Sequence, residues 1–317
     1  MLNNPVKLAI VLPCYNEEAT LPITLDSLQS NLSSWINDKT IHPNSFIAVV
    51  DDGSNDKTWQ IVESYKARYN GHLKGLKLSR NYGHQPALLS GLFTFKDQVD
   101  CIITIDADLQ DDTSIMKDML ALYNNGFEIV YGVRKSRTSD SFMKKNTAHL
   151  FYTLLHLMDI DVVFNHADYR LTSSKAINAL EGFKEVNLFL RGIYPILGFK
   201  TANVFYDRKE RVAGETKYPL GKMISFALHG ITSFTISPLR WIFYAGLIIF
   251  CANMIMSAVF IYAFFHGSTV RGWTSTILSI YFIGSVQLMA MGIIGEYLGK
   301  VYQETKQRPR YIVEKEI

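Results

Sequence analysis

The sequence contains few cysteines and little net charge, and each shortage excludes a class of protein. Three cysteines, Cys14, Cys101 and Cys251, occur among 317 residues, and none belongs to a CxxC pair. Such an odd, scattered set indicates neither a disulfide framework nor a structural zinc site. The 32 basic and 29 acidic side chains leave a net charge of +3. That charge is too small to indicate nucleic acid as a partner.

A cleavable signal sequence is not evident either. The apolar run from Leu8 to Leu12 is short and leads directly into polar residues without a cleavage-like site. Up to about Pro238 the hydrophobic residues come in short bursts that charged residues interrupt. We therefore expect the amino-terminal domain to stay in the cytoplasm, where it is made.

Three short apolar runs rich in β-branched residues predict strands that are buried on both faces of a sheet. They are Lys7–Pro13, Ser45–Asp52 and Cys101–Asp108. Helical apolar spacing lies between them, over Glu17–Leu32 and Thr58–Tyr69, with Asp56 or Thr58 as the N-cap of the second helix. This alternation predicts an α/β fold with a Rossmann-like, mostly parallel sheet. Ligands would bind at the carboxyl ends of its strands.

Two long uncharged runs follow, 25 residues from Trp241 to Phe265 and 22 residues from Thr274 to Gly295. At a rise of about 1.5 Å per residue, each is long enough to cross a hydrocarbon core of about 30 Å. The short connector between them predicts a helical hairpin. We thus expect a catalytic domain over residues 1–217, an interfacial helix over 218–237, two transmembrane helices within 238–298 (about 239–265 and 274–297), and a tail over 299–317. An ordinary amphipathic helix packed on the domain is the alternative for 218–237.

Basic residues flank this hairpin on both sides, whereas the connector carries Arg271 alone. The flanking residues are Lys217, Lys222 and Arg240 before it, and Lys300, Lys306, Arg308 and Arg310 after it. The two predicted spans indicate a multi-pass protein of the cell inner (plasma) membrane, and the positive-inside rule gives its orientation. The catalytic domain and the carboxyl-terminal tail would both face the cytoplasm.

Acidic side chains lie at the end of each predicted strand. Asp106 and Asp108 form the polar end of the run Cys101–Asp108, after IITI, and Gln110 follows. An oxygen-rich cluster of this kind suits a hard divalent cation such as Mg²⁺ or Mn²⁺. A cation held there can neutralise charge on a departing diphosphate. Asp51 and Asp52 end a second run, where their carboxylates can accept hydrogen bonds from a base or a ribose. A simple turn and helix cap remains the alternative for each cluster taken alone.

Four segments resemble the family 2 glycosyltransferases with the GT-A fold: PCYNE (13–17), DDGSNDKT (51–58), LSRNYGHQPALLSG (78–91) and DADLQ (106–110). Three later segments are similar to the polyprenyl-phosphate branch of that family: ADYRL (167–171), RVAGETKYP (211–219) and GEYLGKVY (295–302). That branch contains dolichyl-phosphate mannose synthases and bactoprenol glucosyltransferases. The resemblance covers essentially the whole chain.

The resemblance implies a set of site residues. The nucleotide-sugar would be bound by Pro13, Tyr15, Glu17, Asp51, Asp52 and Asp106. The metal would be bound by Asp108 and Gln110, with Asp106 beside them. The donor and acceptor phosphates would meet Arg134, Lys144, Arg211 and Lys217, and the catalytic residues would be Asp168, Arg170 and Asp108. For Asp168 and Arg170 a structural ion pair is the alternative, and for His84 we expect ordinary packing or a surface position.

The expected reaction is transfer of a hexose, first of all glucose from UDP-glucose, to undecaprenyl phosphate at the cytoplasmic membrane face. The family reaction inverts the anomeric carbon, and its product would serve in cell-envelope glycan modification. A homo-oligomer, a tetramer by family resemblance, is expected. The alternatives are the same reaction with UDP-GlcNAc or another sugar, a processive polysaccharide synthase, and an inactive membrane sensor that binds nucleotide-sugar. The synthase is disfavoured because Ser237–Trp241 lacks the Gln of a QxxRW motif.

Overall fold

The computed structural model describes residues 5–69, 71–108, 110–135, 166–185, 190–207 and 272–317, together with a few positions between 242 and 255. Its backbone forms two compact units. Described residues of the first unit lie within 5–207 and 309–317, and those of the second lie within 242–255 and 272–308.

The first unit alternates strands and helices, as the sequence predicts. Its strands are β1 (Leu8–Cys14), β2 (Phe46–Asp51), β3 (Leu73–Leu78), β4 (Cys101–Thr104), β5 (Ile129–Arg134), β6 (His166–Ser173), β7 (Thr201–Tyr206) and β8 (Val313–Glu316). Its α-helices are α1 (Leu21–Asn37), α2 (Thr58–Arg68), α3 (His84–Phe95), α4 (Met116–Asn124), α5 (Ser174–Glu181) and α6 (Leu190–Ile196).

The strands form one sheet in the order β7-β5-β6-β4-β1-β2-β3-β8. Strands β6 and β8 pair antiparallel with their neighbours, and the other six strands share one direction. The predicted α/β class and mostly parallel sheet are therefore confirmed. One edge of the sheet collects the carboxyl ends of six strands and the amino ends of β6 and β8, so residues distant in sequence meet there.

Burial explains why β1 and β2 lie at the centre of the sheet. Every residue of β1 and β2 is buried, as expected for central strands that helices cover on both faces. Helix α1 buries an apolar stripe at helical spacing, formed by Leu21, Leu25, Leu28 and Leu32. Helix α3 approaches β1 closely at Gly91, where an added Cβ would lie 2.6 Å from a Val11 methyl carbon.

The second unit contains the long helix α7, Trp273–Thr305. Its stretch Phe282–Thr305 is long and apolar enough to cross a membrane, judged by length and composition among the described residues. The predicted transmembrane helix at 274–297 lies within α7. The predicted helix at about 239–265 and the interfacial helix at 218–237 fall largely or wholly outside the described residues.

The carboxyl-terminal segment does more than extend as a tail. We expected a tail over residues 299–317, but α7 continues to Thr305, and β8 then joins the sheet as the antiparallel neighbour of β3. The Arg310 guanidinium also donates a hydrogen bond to the carbonyl of Phe183. Residues 309–317 therefore belong to the same compact unit as the sheet.

Candidate functional site

The register of the sheet brings two sequence-predicted acids together. Thr104 of β4 pairs with Arg170 of the antiparallel strand β6. Continuing that register by two residues past the end of β4 places Asp106 opposite Asp168. The two carboxylates therefore meet at the edge where the parallel strands end, although 62 positions separate them in the sequence.

Three cationic side chains surround the Asp168 carboxylate. Arg170 donates from Nη2 to Oδ1 at 2.6 Å, and Arg191 of α6 donates from Nη2 to Oδ2 at 3.4 Å. Nε2 of His84 lies 3.3 Å from Oδ2, and the same nitrogen lies 3.9 Å from Oδ1 of Asp106. His84 thus bridges the two carboxylates that face each other across β4 and β6.

The charges of this cluster shift the pKa values of its members in opposite directions. Burial alone would raise the pKa of Asp168, but Arg191, His84 and Arg170 hold it well below its ordinary value. Burial lowers the pKa of His84, yet the hydrogen bond to Asp168 and the charge of Asp106 outweigh that effect and raise it to about 9. At neutral pH Asp168 is therefore ionised and His84 is protonated.

The pKa of Asp106 is raised, whereas that of Asp168 is lowered. Burial and the neighbouring carboxylates raise the pKa of Asp106 to about 6, and the charge of His84 offsets this only in part. The acids involved besides Asp106 are Asp111, Asp168 and Asp108. A carboxylate held among like charges favours any ligand that brings positive charge to this point.

Arg170 is buried beside Asp168. Its side chain is fully buried, and its guanidinium carbon lies 4.1 Å from the centre of the Tyr194 ring. Within the described residues its Nε and Nη1 atoms have no hydrogen-bond partner. In that part of the chain Asp168 therefore supplies the only hydrogen bond to this guanidinium. The ion pair positions the buried Arg170 side chain as well as balancing its charge.

Asp52 positions His84 through the loop that precedes α3. Its Oδ1 accepts a hydrogen bond from the backbone N–H of Tyr82 at 2.8 Å, and its Oδ2 accepts one from that of Gly83 at 2.9 Å. Gly83 has φ of +100° and caps α3, whose first residue is His84. Both oxygens of Asp52 are thus engaged by the loop, and His84 is fixed at the start of the helix.

A cleft of about 380 Å³ lies along the same edge of the sheet, beside the ends of β1, β2 and β3. Its lining is polar and includes Tyr15, Ser54, Lys77, Arg80 and Glu314. The Tyr15 side chain is exposed, so its ring is available to a ligand in the cleft. The volume lies within the range of small-molecule binding pockets.

The turn after β2 shapes this cleft. Gly53 has φ of +67°, and an added Cβ would lie 2.3 Å from the carbonyl carbon of Arg80. Asp51 is completely buried beneath the turn, where its Oδ1 accepts a hydrogen bond from the backbone N–H of Ser54 at 3.1 Å. The turn can approach the loop after β3 this closely because position 53 has no side chain.

Arg134 belongs to a second cluster, at the ends of β5 and β7. Its Nη2 lies 3.3 Å from Oδ1 of the buried Asp111, and its Nε donates to the hydroxyl of Tyr206 at 3.2 Å. The Tyr206 hydroxyl in turn donates to the same Asp111 oxygen at 2.5 Å. Arg134 keeps a quarter of its side chain exposed, so it can still meet an anion from solvent.

The predicted metal residues lie together at the end of β4. The backbone N–H of Gln110 donates to Oδ1 of Asp108 at 3.2 Å, and the Gln110 side chain is buried. Among the described residues, no group of three or more His, Cys, Asp or Glu side chains is arranged to hold a metal ion. Asp106, Asp108 and the amide of Gln110 are the predicted oxygen donors at this point.

The remaining predicted residues have different surroundings. Pro13 is buried within β1, and Glu17 accepts a hydrogen bond from the Thr20 hydroxyl at 2.7 Å. Neither is among the residues that line the cleft. Lys144, Arg211 and Lys217 lie outside the described residues.

The structure adds three residues that sequence reasoning gave no role. We expected packing or a surface position for His84, but it pairs with Asp168 and lies close to Asp106. Its position within the LSRNYGHQPALLSG segment was the available signal. Asp111 directly follows the DADLQ segment, whereas Arg191 lies in none of the segments quoted above. Their partners Arg134 and Asp168 are each 23 positions away in the sequence.

The chain is similar to known glycosyltransferases over nearly its whole length. A family model described as glycosyl transferase family 2 matches residues 9–180. The uncharacterized glycosyltransferase YkoT of Bacillus subtilis (strain 168) is 48% identical, over 97% of this chain and 91% of that protein. The prophage bactoprenol glucosyl transferase homolog of Escherichia coli (strain K12) is 35% identical, over 98% and 99%. The bactoprenol glucosyl transferase of Shigella phage SfX is also 35% identical, over 97% and 99%.

Proposed function

The chain belongs to glycosyl transferase family 2, and we propose that it transfers glucose from UDP-glucose to the phosphate of a polyprenyl lipid. It is an enzyme with a GT-A-like α/β fold. The observation that supports the acceptor is the alignment with bactoprenol glucosyl transferases from end to end, including the segment of α7. A match limited to the sheet would support a nucleotide-sugar donor without indicating a lipid.

The chemistry of such an acceptor fits the cluster around Asp168. A phosphate monoester has a second pKa of about 6, so its oxygen is already anionic at neutral pH. The enzyme then needs no strong base, and its work is to hold two anionic groups together. An Asp168 carboxylate ringed by His84, Arg170 and Arg191 is a weak base. Asp168 is therefore suited to orienting these three cationic side chains.

The residues after β4 fit a divalent metal ion. Asp106, Asp108 and Gln110 offer two carboxylates and an amide, which are the oxygen donors that Mg²⁺ or Mn²⁺ prefers. Two carboxylates with ligands completed by substrate phosphates are a usual arrangement for Mg²⁺. The pKa of Asp106 is raised by burial first and by the neighbouring carboxylates second, and a bound cation would offset both. A bound cation would supply neutralisation of charge on the departing diphosphate.

The proposed step is a direct displacement at the anomeric carbon. A phosphate oxygen of the lipid forms the new bond to C1 while the bond from C1 to the diphosphate oxygen breaks, and the nucleoside diphosphate leaves. The configuration inverts because attack and departure take place on opposite faces. In this step Asp168 orients the partly exposed His84 and Arg191 beside the acceptor. Arg134, with part of its side chain in solvent, is available to a phosphate.

The membrane arrangement is part of the proposal. A lipid phosphate lies at the headgroup plane, so an enzyme anchored by apolar helices can meet it without extracting the lipid. We propose two membrane-spanning helices, with α7 as the second, and a cytoplasmic catalytic unit. The tetramer implied by the family resemblance stays a prediction.

Product analysis tests this function. Membranes containing the protein would be incubated with undecaprenyl phosphate and UDP-glucose, UDP-GlcNAc or GDP-mannose, and the lipid products identified by mass spectrometry. We expect one glucose per lipid phosphate and release of UDP, with release dependent on the lipid. UMP release would contradict the displacement at C1, and several sugars per lipid would favour a processive synthase. No release with any donor would favour the inactive sensor.

A further inference from the structure

The carboxyl-terminal strand β8 contains a bulge at the edge of the cleft. Lys77 of β3 pairs with Lys315, whereas the next residue, Leu78, pairs with Val313. Glu314 is therefore the extra residue of β8, with no register partner on β3. Bulges of this kind redirect a side chain and are frequent at sheet edges and beside active sites.

The bulge leaves the Glu314 side chain at the wall of the cleft. Glu314 is among the residues that line it, together with Lys77 and Tyr15. The Lys77 amine lies 3.0 Å from Oε2 of Glu314 and 3.2 Å from Oε1. About half of the Glu314 side chain and a quarter of the Lys77 side chain remain exposed, so both can also contact a ligand.

The hydrogen-bonding groups of this wall indicate which part of a nucleotide can occupy it. Lys77 and Arg80 offset the charge of Glu314 within the cleft. The Glu314 carboxylate can still accept hydrogen bonds from the N–H groups of a base and the hydroxyls of a ribose. The exposed Tyr15 ring offers a face on which a base can stack. The β3–β8 end of the cleft therefore suits a nucleoside. The end near β4, with its proposed cation, suits the diphosphate.

We propose that Glu314 is a nucleoside-binding residue of the donor site, held in place by Lys77. The inference rests on the proposed function in taking a nucleotide as the occupant of the cleft. It makes β8 part of the donor site, although the residues of the second unit separate β8 in sequence from every other strand of the sheet.

The neighbouring residue Lys315 provides a matched control. It lies on the same short strand, but its amine pairs with Glu63 of α2 at 2.7 Å, and it is not among the residues that line the cleft. Both ion pairs tie β8 to the same unit, and both are partly exposed. Glu314→Gln and Lys315→Gln therefore disturb the strand to a similar extent, while only the first removes charge from the cleft.

The test is calorimetric titration of the full-length, detergent-solubilised protein with UDP. We expect Glu314→Gln to weaken UDP binding about tenfold, the effect of one hydrogen bond to a charged group. Lys315→Gln should stay within about twofold of wild type. Titration with pyrophosphate and Mn²⁺ should give equal affinities for wild type and Glu314→Gln, because the residue contacts the nucleoside. In turnover assays KM for the donor should rise while kcat is unchanged.

Two results would overturn the inference. Equal UDP affinities for wild type and Glu314→Gln would remove Glu314 from the donor site and leave the proposed function intact. An equal loss of pyrophosphate and UDP affinity would show that Glu314 acts on the whole cleft and not on the nucleoside. A wild-type protein that binds none of UDP, GDP and CDP would refute the proposed function itself. Lipid-dependent turnover tests the proposed function separately.

Discussion

Replacing Gly53 by alanine should disturb the cleft and the His84 loop together. Position 53 has φ of +67°, and an alanine Cβ would lie 2.3 Å and 2.6 Å from the carbonyl carbon and Cα of Arg80, and 2.7 Å from the nitrogen of Asn81. These are backbone atoms and cannot rotate away. The loop after β3 would have to move by roughly 1 Å to reach ordinary van der Waals separation.

The free-energy cost of Gly53→Ala has two contributions. A left-handed conformation costs alanine about 1–2 kcal/mol. Moving the loop also strains the hydrogen bonds from Tyr82 and Gly83 to Asp52, each worth about 1.5–3 kcal/mol because the acceptor is charged. Gly126 supplies the matched control, since it has φ of +85° but an added Cβ would meet nothing within 4 Å. The difference between the two variants isolates the loop displacement, which we expect to cost about 2–4 kcal/mol.

The assay combines thermal unfolding with activity. Gly126→Ala should lower the melting temperature by a few degrees and leave activity unchanged. Gly53→Ala should melt at least about 4 °C below Gly126→Ala, at about 2–4 °C per kcal/mol. It should also lose roughly 100-fold in activity, because a displacement of 1 Å beside the reacting groups is costly. If the two variants have the same melting temperature and the same activity, the loop before α3 does not position His84.

Three other outcomes are expected. Asp108→Ala should abolish transfer while the protein remains folded and membrane-bound. Chelation of the wild type should do the same, reversibly on adding Mn²⁺ or Mg²⁺, and full activity in excess chelator would refute the metal assignment. A reporter that is active only outside the cytoplasm should be active when inserted at Ser268 and silent when fused after Ile317, and the reverse pattern would overturn the orientation. Asp168→Asn should keep about 1–10% of the activity, because asparagine retains an acceptor oxygen for Arg170 and the role is orientation. The wild-type rate should rise as pH passes the acceptor's own ionisation near pH 6, and an inactive Asp168→Asn that binds UDP and lipid normally would contradict this.

Much of the parallel half of the sheet could be predicted from the sequence, since its strands are apolar on both faces. The runs Lys7–Pro13 and Ser45–Asp52 became β1 and β2 with shifts of one residue at each end. Strand β8 could not be predicted in this way. It is four residues long, charged at three of four positions and exposed throughout, so its pairing depends on β3 offering a free edge.

The sequence indicated candidate site residues where they lie at the end of a predicted strand. Asp52, Asp106 and Asp108 were predicted for that reason, and their roles stay predictions. Asp168 and Arg170 were predicted by resemblance alone, because β6 carries an alternation of polar and apolar residues that gives no sign of its partner strand. The contact of His84 with both carboxylates depends on where α3 begins, and that is fixed by Asp52 binding the loop before it.

The order of the strands then explains how one edge of the sheet can serve a reaction between two anions. Along that edge the structure places the cleft with Tyr15 and Glu314, then Asp106 and Asp108, then the cations around Asp168. The acids alone would repel a diphosphate, and the buried charge of Arg170 is already balanced by Asp168. A metal ion beside β4 would reverse the charge there. His84, which lies close to Asp106 and Asp168, is placed at the boundary between the proposed donor and acceptor sites. On this reasoning the double variant His84→Gln, Asp168→Asn should be no worse than the more damaged of the two single variants, because both remove the same bridge.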